Sequence, residues 1–159
     1  MSETERIRDV LYYTYKGPAW HGPALAQNLD GVTAEQAAQK PIGAAHSIWE
    51  LVNHATAWIN VVINTLDGMP YAVLPTEQDW AAKAPPDSAA WESALGILDS
   101  SMDALCGAVA ELEDAKLDEL VPGQEFNYYW LLHGVVHHNT YHSGQIGLIR
   151  KSFVQAEGA

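Results

Sequence analysis

Two pairs of histidines lie near the C-terminal end of the chain, and in each pair the residues are four apart. One pair is His133 and His137, and the other is His138 and His142. Residues four apart on a helix share a face, so two such imidazoles can bind one metal ion. Neither pair has the glutamate of a His-Glu-x-x-His metalloprotease, which disfavours peptide hydrolysis by that route.

The apolar residues around these histidines decide which pair faces the core. At about 100° per residue, one stripe of the predicted helix collects the apolar side chains: Tyr128, Leu131, Val135, Ile146, Ile149 and Phe153. His142 falls in the middle of this stripe and His138 at its edge, whereas His133 and His137 fall on the opposite side. A buried imidazole without a partner costs roughly 1 to 3 kcal/mol. The inward pair, His138 and His142, therefore needs a metal ion or hydrogen bonds.

A third candidate ligand, His54, lies on an earlier predicted helix. It flanks an apolar stripe and can reach sideways to a neighbouring helix, whereas His46 is predicted to be solvated. Three neutral imidazoles leave a coordination position open, as in catalytic rather than structural sites. Imidazole suits Zn, Ni, Fe and Cu alike, so we expect a divalent transition metal, with Zn or Ni favoured over Fe.

Polar residues near the candidate ligands allow two interpretations each. Glu50 lies one turn before His54 and could orient that imidazole or accept a proton, or it could be an ordinary solvated carboxylate. Gln145 and Asn139 flank the inward pair and could bind substrate, or they could be ordinary helix residues. No catalytic residue is assigned from the sequence.

Two further features are interpreted more simply. Residues 17–23 present Trp20 and His21, and this segment is either a lid over the site or, as we prefer, a connector between helices. Cys106 lies near the apolar stripe of its helix and is expected to be a core residue.

The elements that must position these residues are helices separated by segments rich in Pro and Gly. Long helices are predicted over residues 3–16, 47–66, 88–113 and 125–153, and short ones start near Pro23 and Thr33. The connection over residues 69–87 contains four prolines and is expected to cross the bundle. No strand is predicted, and residues 154–159 are expected to fray. The chain is therefore predicted to be all-α, with residues 1–159 forming one four-helix-bundle domain.

Composition narrows the class of protein. The 159 residues include 8 Lys and Arg against 20 Asp and Glu, with no basic cluster, which argues against nucleic acid or an anionic membrane surface as a partner. The single cysteine cannot form an internal disulfide, and neither a signal segment nor a membrane span is recognised. We expect a soluble, cytoplasmic protein.

Two segments resemble the DinB-like (DinB/YfiT) superfamily of metal-dependent four-helix proteins. They are HSIWELVNHATAW, which contains His54, and HHNTYHSGQIGLIRK, which is similar to the family pattern of His, three residues, His, one residue, Gly-Gln and Ile or Leu. By position, the family's metal ligands match His54, His138 and His142. Ser143 stands where the family usually has a basic residue.

The resemblance implies an up-down-down-up bundle, frequent homodimers, and relatives that use low-molecular-weight thiols such as bacillithiol, mycothiol or glutathione. These relatives act as S-transferases or isomerases, so a metal-dependent, thiol-dependent transferase is the leading hypothesis. One alternative is a hydrolase with a metal-activated water. The other is a non-catalytic bundle that senses or scaffolds, with its histidines satisfied by hydrogen bonds.

Overall fold

The computed structural model describes residues 1–41, 43, 46–80 and 86–156, and this part of the chain is helical. The α-helices are α1 (Glu3–Lys16), α2 (Leu25–Leu29), α3 (Ala34–Ala38), α4 (Ile48–Leu66), α5 (Thr76–Asp79), α6 (Ser88–Ala110) and α7 (Tyr128–Ala156), and a 3₁₀ helix spans Asp114–Asp118. The described residues contain two isolated β-bridges and no strand. The all-α prediction is confirmed.

Side-chain caps fix where the helices begin. The Ser47 hydroxyl accepts a hydrogen bond from the Glu50 amide, and the Glu50 carboxylate accepts one from the Ser47 amide, which forms a capping box at the start of α4. Thr33 and Gln36 form the predicted capping box of α3. Ser47 thus fixes where α4 begins, and α4 is the helix that carries His54, the first candidate ligand.

Contacts near the helix ends show that α1 and α6 are antiparallel and that α4 and α6 are parallel. The amides of Glu3 and Thr4, at the start of α1, donate to the Asp114 carboxylate, just beyond the end of α6. The indoles of Trp49 and Trp91, near the starts of α4 and α6, lie 5.2 Å apart between ring centroids. The connection between α4 and α6 must therefore return along the length of the bundle.

Helix α7 runs antiparallel to α4. His54, near the start of α4, contacts His142 in the middle of α7, while Val62, near the end of α4, shares a cavity with Trp130 at the start of α7. Together with the other pairs, this gives the predicted up-down-down-up arrangement with one long crossover. Among the described helices, none is both long and apolar enough to cross a bilayer.

The core forms where the four long helices meet, and its largest fully buried side chain is Trp91. The Trp91 indole N–H donates to the Val32 carbonyl oxygen at 2.7 Å. This bond gives a partner to a buried polar group that would otherwise be costly. It also joins the connection between α2 and α3 to α6.

Several predicted boundaries need correction. Helix α6 ends at Ala110 rather than residue 113, because the chain turns away to place Asp114 at the amides of α1. Helix α7 begins at Tyr128 rather than residue 125, because Asn127 accepts a hydrogen bond from the Trp130 amide, as a helix cap does.

The crossover and the C-terminus also differ from the prediction. The crossover contains the short helix α5, which was not predicted and follows Pro75, and residues 81–85 of the predicted loop lie outside the described residues. Helix α7 includes residues 154–156, which were expected to fray. Residues 157–159 lie outside the described residues.

Candidate metal centre

Three imidazoles converge between α4 and α7. The Nε2 atom of His138 lies 3.0 Å from that of His54 and 3.2 Å from that of His142. The three candidate ligand atoms all lie within 4.8 Å of one another. His54 and His142 are buried, and His138 is partly buried. The structure thus brings together the three residues selected from the sequence, and metal binding by them stays a prediction.

The outer nitrogens of two of these rings contact oxygen acceptors. His54 Nδ1 lies 2.8 Å from Asp79 Oδ1 and 3.1 Å from the Asp79 carbonyl oxygen, and His142 Nδ1 lies 2.7 Å from Gln145 Oε1. Carbonyl and carboxylate oxygens only accept hydrogen bonds, so Nδ1 of each neutral ring carries the proton. The Nε2 lone pairs of His54 and His142 therefore point toward His138.

This arrangement fits a bound cation. If neutral His138 carries its proton on Nε2, that N–H can donate to the Nε2 lone pair of His54 or of His142, but not to both. One of the two short nitrogen–nitrogen contacts then has no hydrogen bond. With its proton on Nδ1, which lies 3.5 Å from Asn139 Oδ1, three lone pairs converge. Three neutral imidazole nitrogens are a donor set that Zn, Ni, Fe and Cu accept. His54, His138 and His142 are thus the residues that would hold the metal.

Burial keeps two of these rings neutral. It lowers the pKa of His138 from 6.5 to about 4, with the neighbouring His142 and His54 contributing in the same direction. It also lowers the pKa of His142 below its usual value. Both rings therefore keep a free lone pair at neutral pH, which metal binding requires.

The crossover supplies two site residues that the sequence analysis missed. Besides contacting His54, the Asp79 Oδ1 atom accepts a hydrogen bond from Trp58 Nε1 at 2.7 Å. The Trp80 indole stacks on the His54 ring, with 3.9 Å between ring centroids and 6° between the planes. The available signal was an Asp-Trp pair in a proline-rich crossover, but a crossover has no periodicity to indicate which helix it contacts.

His46 and Glu50 need reinterpretation. The predicted solvated position of His46 holds only in part, because 43% of its side chain is exposed while its ring stacks on Trp80 with 3.5 Å between centroids. Glu50 is mostly buried, and its carboxylate lies 3.0 Å from Lys40 Nζ and 3.6 Å from His46 Nδ1. The carboxylate that orients His54 is therefore that of Asp79, while Glu50 anchors the start of α4.

The polar residues beside the inward pair have positioning contacts. Gln145 accepts the hydrogen bond from His142 and so orients that ring. Asn139 is buried, and its amide nitrogen lies 3.7 Å from Met102 Sδ. These contacts favour a supporting role for both residues over direct substrate binding.

The competing histidine pair lies away from the cluster, as the apolar stripe predicted. His137 is exposed, and His133 is partly buried with its ring 4.3 Å from that of Tyr129. Among the described residues, His133 Nε2 is the buried side-chain nitrogen or oxygen without a hydrogen-bond partner. Neither ring joins the three convergent imidazoles.

The remaining sequence candidates lie outside the centre. Trp20 and His21 are exposed, which favours a connector over a lid for residues 17–23. Cys106 is a half-buried free thiol packed against the core, and burial raises its pKa. A raised pKa makes the thiol less reactive, in line with the predicted core role.

Ser143, the departure from the family pattern, docks α2 onto α7. Its hydroxyl and carbonyl oxygens accept hydrogen bonds from Asn28 Nδ2 at 2.9 and 3.1 Å. A Cβ at Gly147, one turn further on, would lie 3.3 Å from Asn28 Oδ1. The absence of a side chain at Gly147 therefore lets α2 pack close to the helix that carries two candidate ligands.

The fold and the site together define an up-down-down-up helical bundle in which three histidines converge between two of the long helices. The family model of the DinB superfamily matches residues 20–146, which include all three histidines. The chain belongs to the DinB superfamily. A search of curated proteins found no match to this chain.

Proposed function

We propose that this protein is a metal-dependent enzyme in which His54, His138 and His142 hold a divalent transition metal, Zn or Ni ahead of Fe. The observation that carries the proposal is the convergence of three Nε2 atoms while Asp79 and Gln145 hold Nδ1 of the two outer rings. Oxygen acceptors behind metal-bound imidazoles fix the tautomer and orientation of the ring. Three protein ligands also leave room for a substrate atom.

The reaction we favour is transfer of a low-molecular-weight thiol to an electrophile. The thiol loses its proton to solvent, its sulfur forms a bond to the electrophilic carbon, and the leaving group departs with the bonding electron pair. When bound, the metal supplies Lewis acidity that lowers the pKa of the thiol. The net change is RSH plus R′X to RSR′ plus HX.

The chain's own residues position and shield the reacting groups. Asp79 and Gln145 orient two rings, and Trp80 covers one face of His54. The Glu50 carboxylate, which is the base considered for a hydrolase, is instead held at the start of α4 by the Ser47 amide and Lys40. This is why we favour thiol transfer over hydrolysis.

The test is an assay of purified, untagged protein reconstituted with Zn²⁺ or Ni²⁺. Glutathione, mycothiol and bacillithiol are each supplied with an activated aryl halide, and thioether formation is followed by absorbance. We expect conjugation that depends on both thiol and metal and is lost in His138→Ala, while His137→Ala, an exposed neighbour, retains it.

Other outcomes distinguish the alternatives. Ester cleavage that needs the metal but no thiol would replace the transferase by a hydrolase. A protein that binds no metal under any of these conditions would be the non-catalytic bundle. A small-molecule thiol partner, a cytoplasmic location and a homodimer are parts of the same proposal, and the acidic composition without a basic cluster supports the exclusion of nucleic acid.

A further inference from the structure

A cavity of about 210 Å³ lies beside the three-histidine centre, between α4, α7 and the start of the crossover. His138 forms part of its wall, and Trp58, which donates to the Asp79 carboxylate, forms another part. A molecule in this cavity would therefore be next to the candidate metal ligands. The cavity is where the electrophilic substrate of the proposed reaction would be placed.

The wall of the cavity is apolar and partly aromatic. Val62, Leu131 and Val135 are buried and supply aliphatic surface. Tyr71 is partly buried and Trp130 is 60% exposed, so these two aromatic rings lie where the cavity meets solvent. Flat rings at an opening favour a flat, apolar ligand, because aromatic pairs stack with offset or edge-to-face geometry.

Charge disfavours an anionic ligand here. Among the described residues that line the cavity there is no Lys, Arg, Asp or Glu, and the formal net charge of the chain is −12. In the metal-free chain an anion would leave water for a site without a cation in its described wall, at a cost that pairing would not offset. An uncharged group avoids this cost.

The volume limits the size of the ligand. An apolar cavity of about 150 Å³ holds benzene, and pockets for drug-sized ligands begin at about 300 Å³. At about 210 Å³, this cavity has room for one aromatic ring with small substituents.

Gly134 lines the cavity from α7, and its missing side chain contributes to the space. A Cβ built at Gly134 would meet no heavy atom within 4 Å. Glycine is less favourable than alanine inside a helix, so the backbone would accept a larger residue, and its side chain would take up cavity volume.

We infer that the cavity bounded by Trp58, Trp130 and Gly134 binds an uncharged, single-ring aromatic group of the substrate and is the specificity pocket of the enzyme. This inference rests on the proposed function, because the bound group is part of a substrate only if the protein is the proposed enzyme. Binding of the aromatic group itself does not need the metal, and the two ideas can therefore be tested separately.

The experiment titrates the metal-free full chain, labelled with ¹⁵N, with 4-methylbenzyl alcohol and with 4-methylbenzoate. The two probes share a ring and differ in charge. We expect the alcohol to shift the indole N–H resonances of Trp58 and Trp130 and to bind at least tenfold more tightly than the benzoate. The resonance of Trp20, which is fully exposed, serves as the internal reference.

Matched variants test the location. Gly134→Leu should weaken binding of the alcohol at least tenfold, and Gly134→Ala should weaken it less. Gly107→Leu is the control, because Gly107 is an exposed glycine of α6 whose added Cβ would also meet nothing within 4 Å. It should bind the alcohol as the wild type does.

Two results would overturn the inference: equal affinity for the alcohol and the benzoate, or unchanged binding in both Gly134 variants. A parallel Zn²⁺ titration of the same samples keeps this failure apart from failure of the proposed function. Metal binding without probe binding rejects the pocket alone, whereas probe binding without metal binding supports the pocket and rejects the metalloenzyme.

Discussion

Replacing Asp79 should weaken metal binding, although its side chain is not a ligand. The Asp79 Oδ1 atom lies 2.8 Å from His54 Nδ1 and 2.7 Å from Trp58 Nε1. In Asp79→Ala the His54 ring loses the carboxylate, which is the closer of its two acceptors, and keeps only the Asp79 carbonyl oxygen at 3.1 Å. The crossover also loses its hydrogen bond to Trp58. We expect the three lone pairs to converge less often and the dissociation constant for metal to rise.

The magnitude follows from the role of such acceptors. Removing an oxygen acceptor behind a metal-bound imidazole typically costs 10- to 100-fold in affinity, or about 1.4 to 2.8 kcal/mol. We expect Asp79→Ala near the middle of this range, because one carboxylate atom serves both donors while the Asp79 carbonyl oxygen stays beside His54. Asp79→Asn keeps an oxygen acceptor and loses the charge, so it should fall at the lower end, near tenfold.

The assay is a competition titration of Zn²⁺ against a chromophoric chelator at about pH 7, with Glu77→Ala as the control. Glu77 is an exposed carboxylate on the same short helix, α5, so the control removes a similar charge without touching His54. A loss of less than about threefold in Asp79→Ala, or an equal loss in Glu77→Ala, would refute the positioning role.

Further predictions concern the histidines and the core. His142→Ala should abolish metal binding while His133→Ala leaves it nearly intact, as measured by metal content, and equal losses would show that the inward face of α7 is wrongly assigned. The pKa of His138 is near 6.5 in the unfolded chain and about 4 in the folded chain, so the free energy of unfolding of the metal-free protein should increase as pH rises from about 4 to 6.5. Urea unfolding at about pH 5 and 7 should show a smaller increase in His138→Gln than in the wild type. An identical increase would contradict the assignment. Trp91→Phe leaves the Val32 carbonyl without its 2.7 Å bond and should cost about 1 to 3 kcal/mol, seen as a lower midpoint of thermal unfolding; an unchanged midpoint would argue against that bond.

The helices could be predicted because their signals are local. The ends of α1 at Glu3 and Lys16 agree with the sequence analysis, since capping residues and the Gly-Pro that follows act within one turn. The start of α7 was predicted three residues too early. Asn127 is the residue that caps the helix, but several polar residues in this part of the sequence could have done so. The end of α6 depends on Asp114 reaching α1, which is a contact between distant parts of the chain.

The ligand set could be predicted for the same reason, whereas its surroundings could not. Helical periodicity places His138 and His142 on the inward face and His54 at the flank of its own stripe, and the structure brings the three together. Asp79 and Trp80 reach them from a crossover, where no periodic pattern relates sequence to contacts. The contact of His46 with Trp80 was missed for the same reason, because Trp80 also belongs to the crossover.

The most direct test of the central claim is elemental analysis of untagged protein, purified without chelators, comparing the wild type with His138→Ala. If His54, His138 and His142 form a metal centre, the wild type will contain about one transition metal ion per chain and the variant will have lost it. No metal in either protein, even after reconstitution with Zn²⁺ and Ni²⁺, would contradict the claim and leave the three imidazoles as a structural cluster.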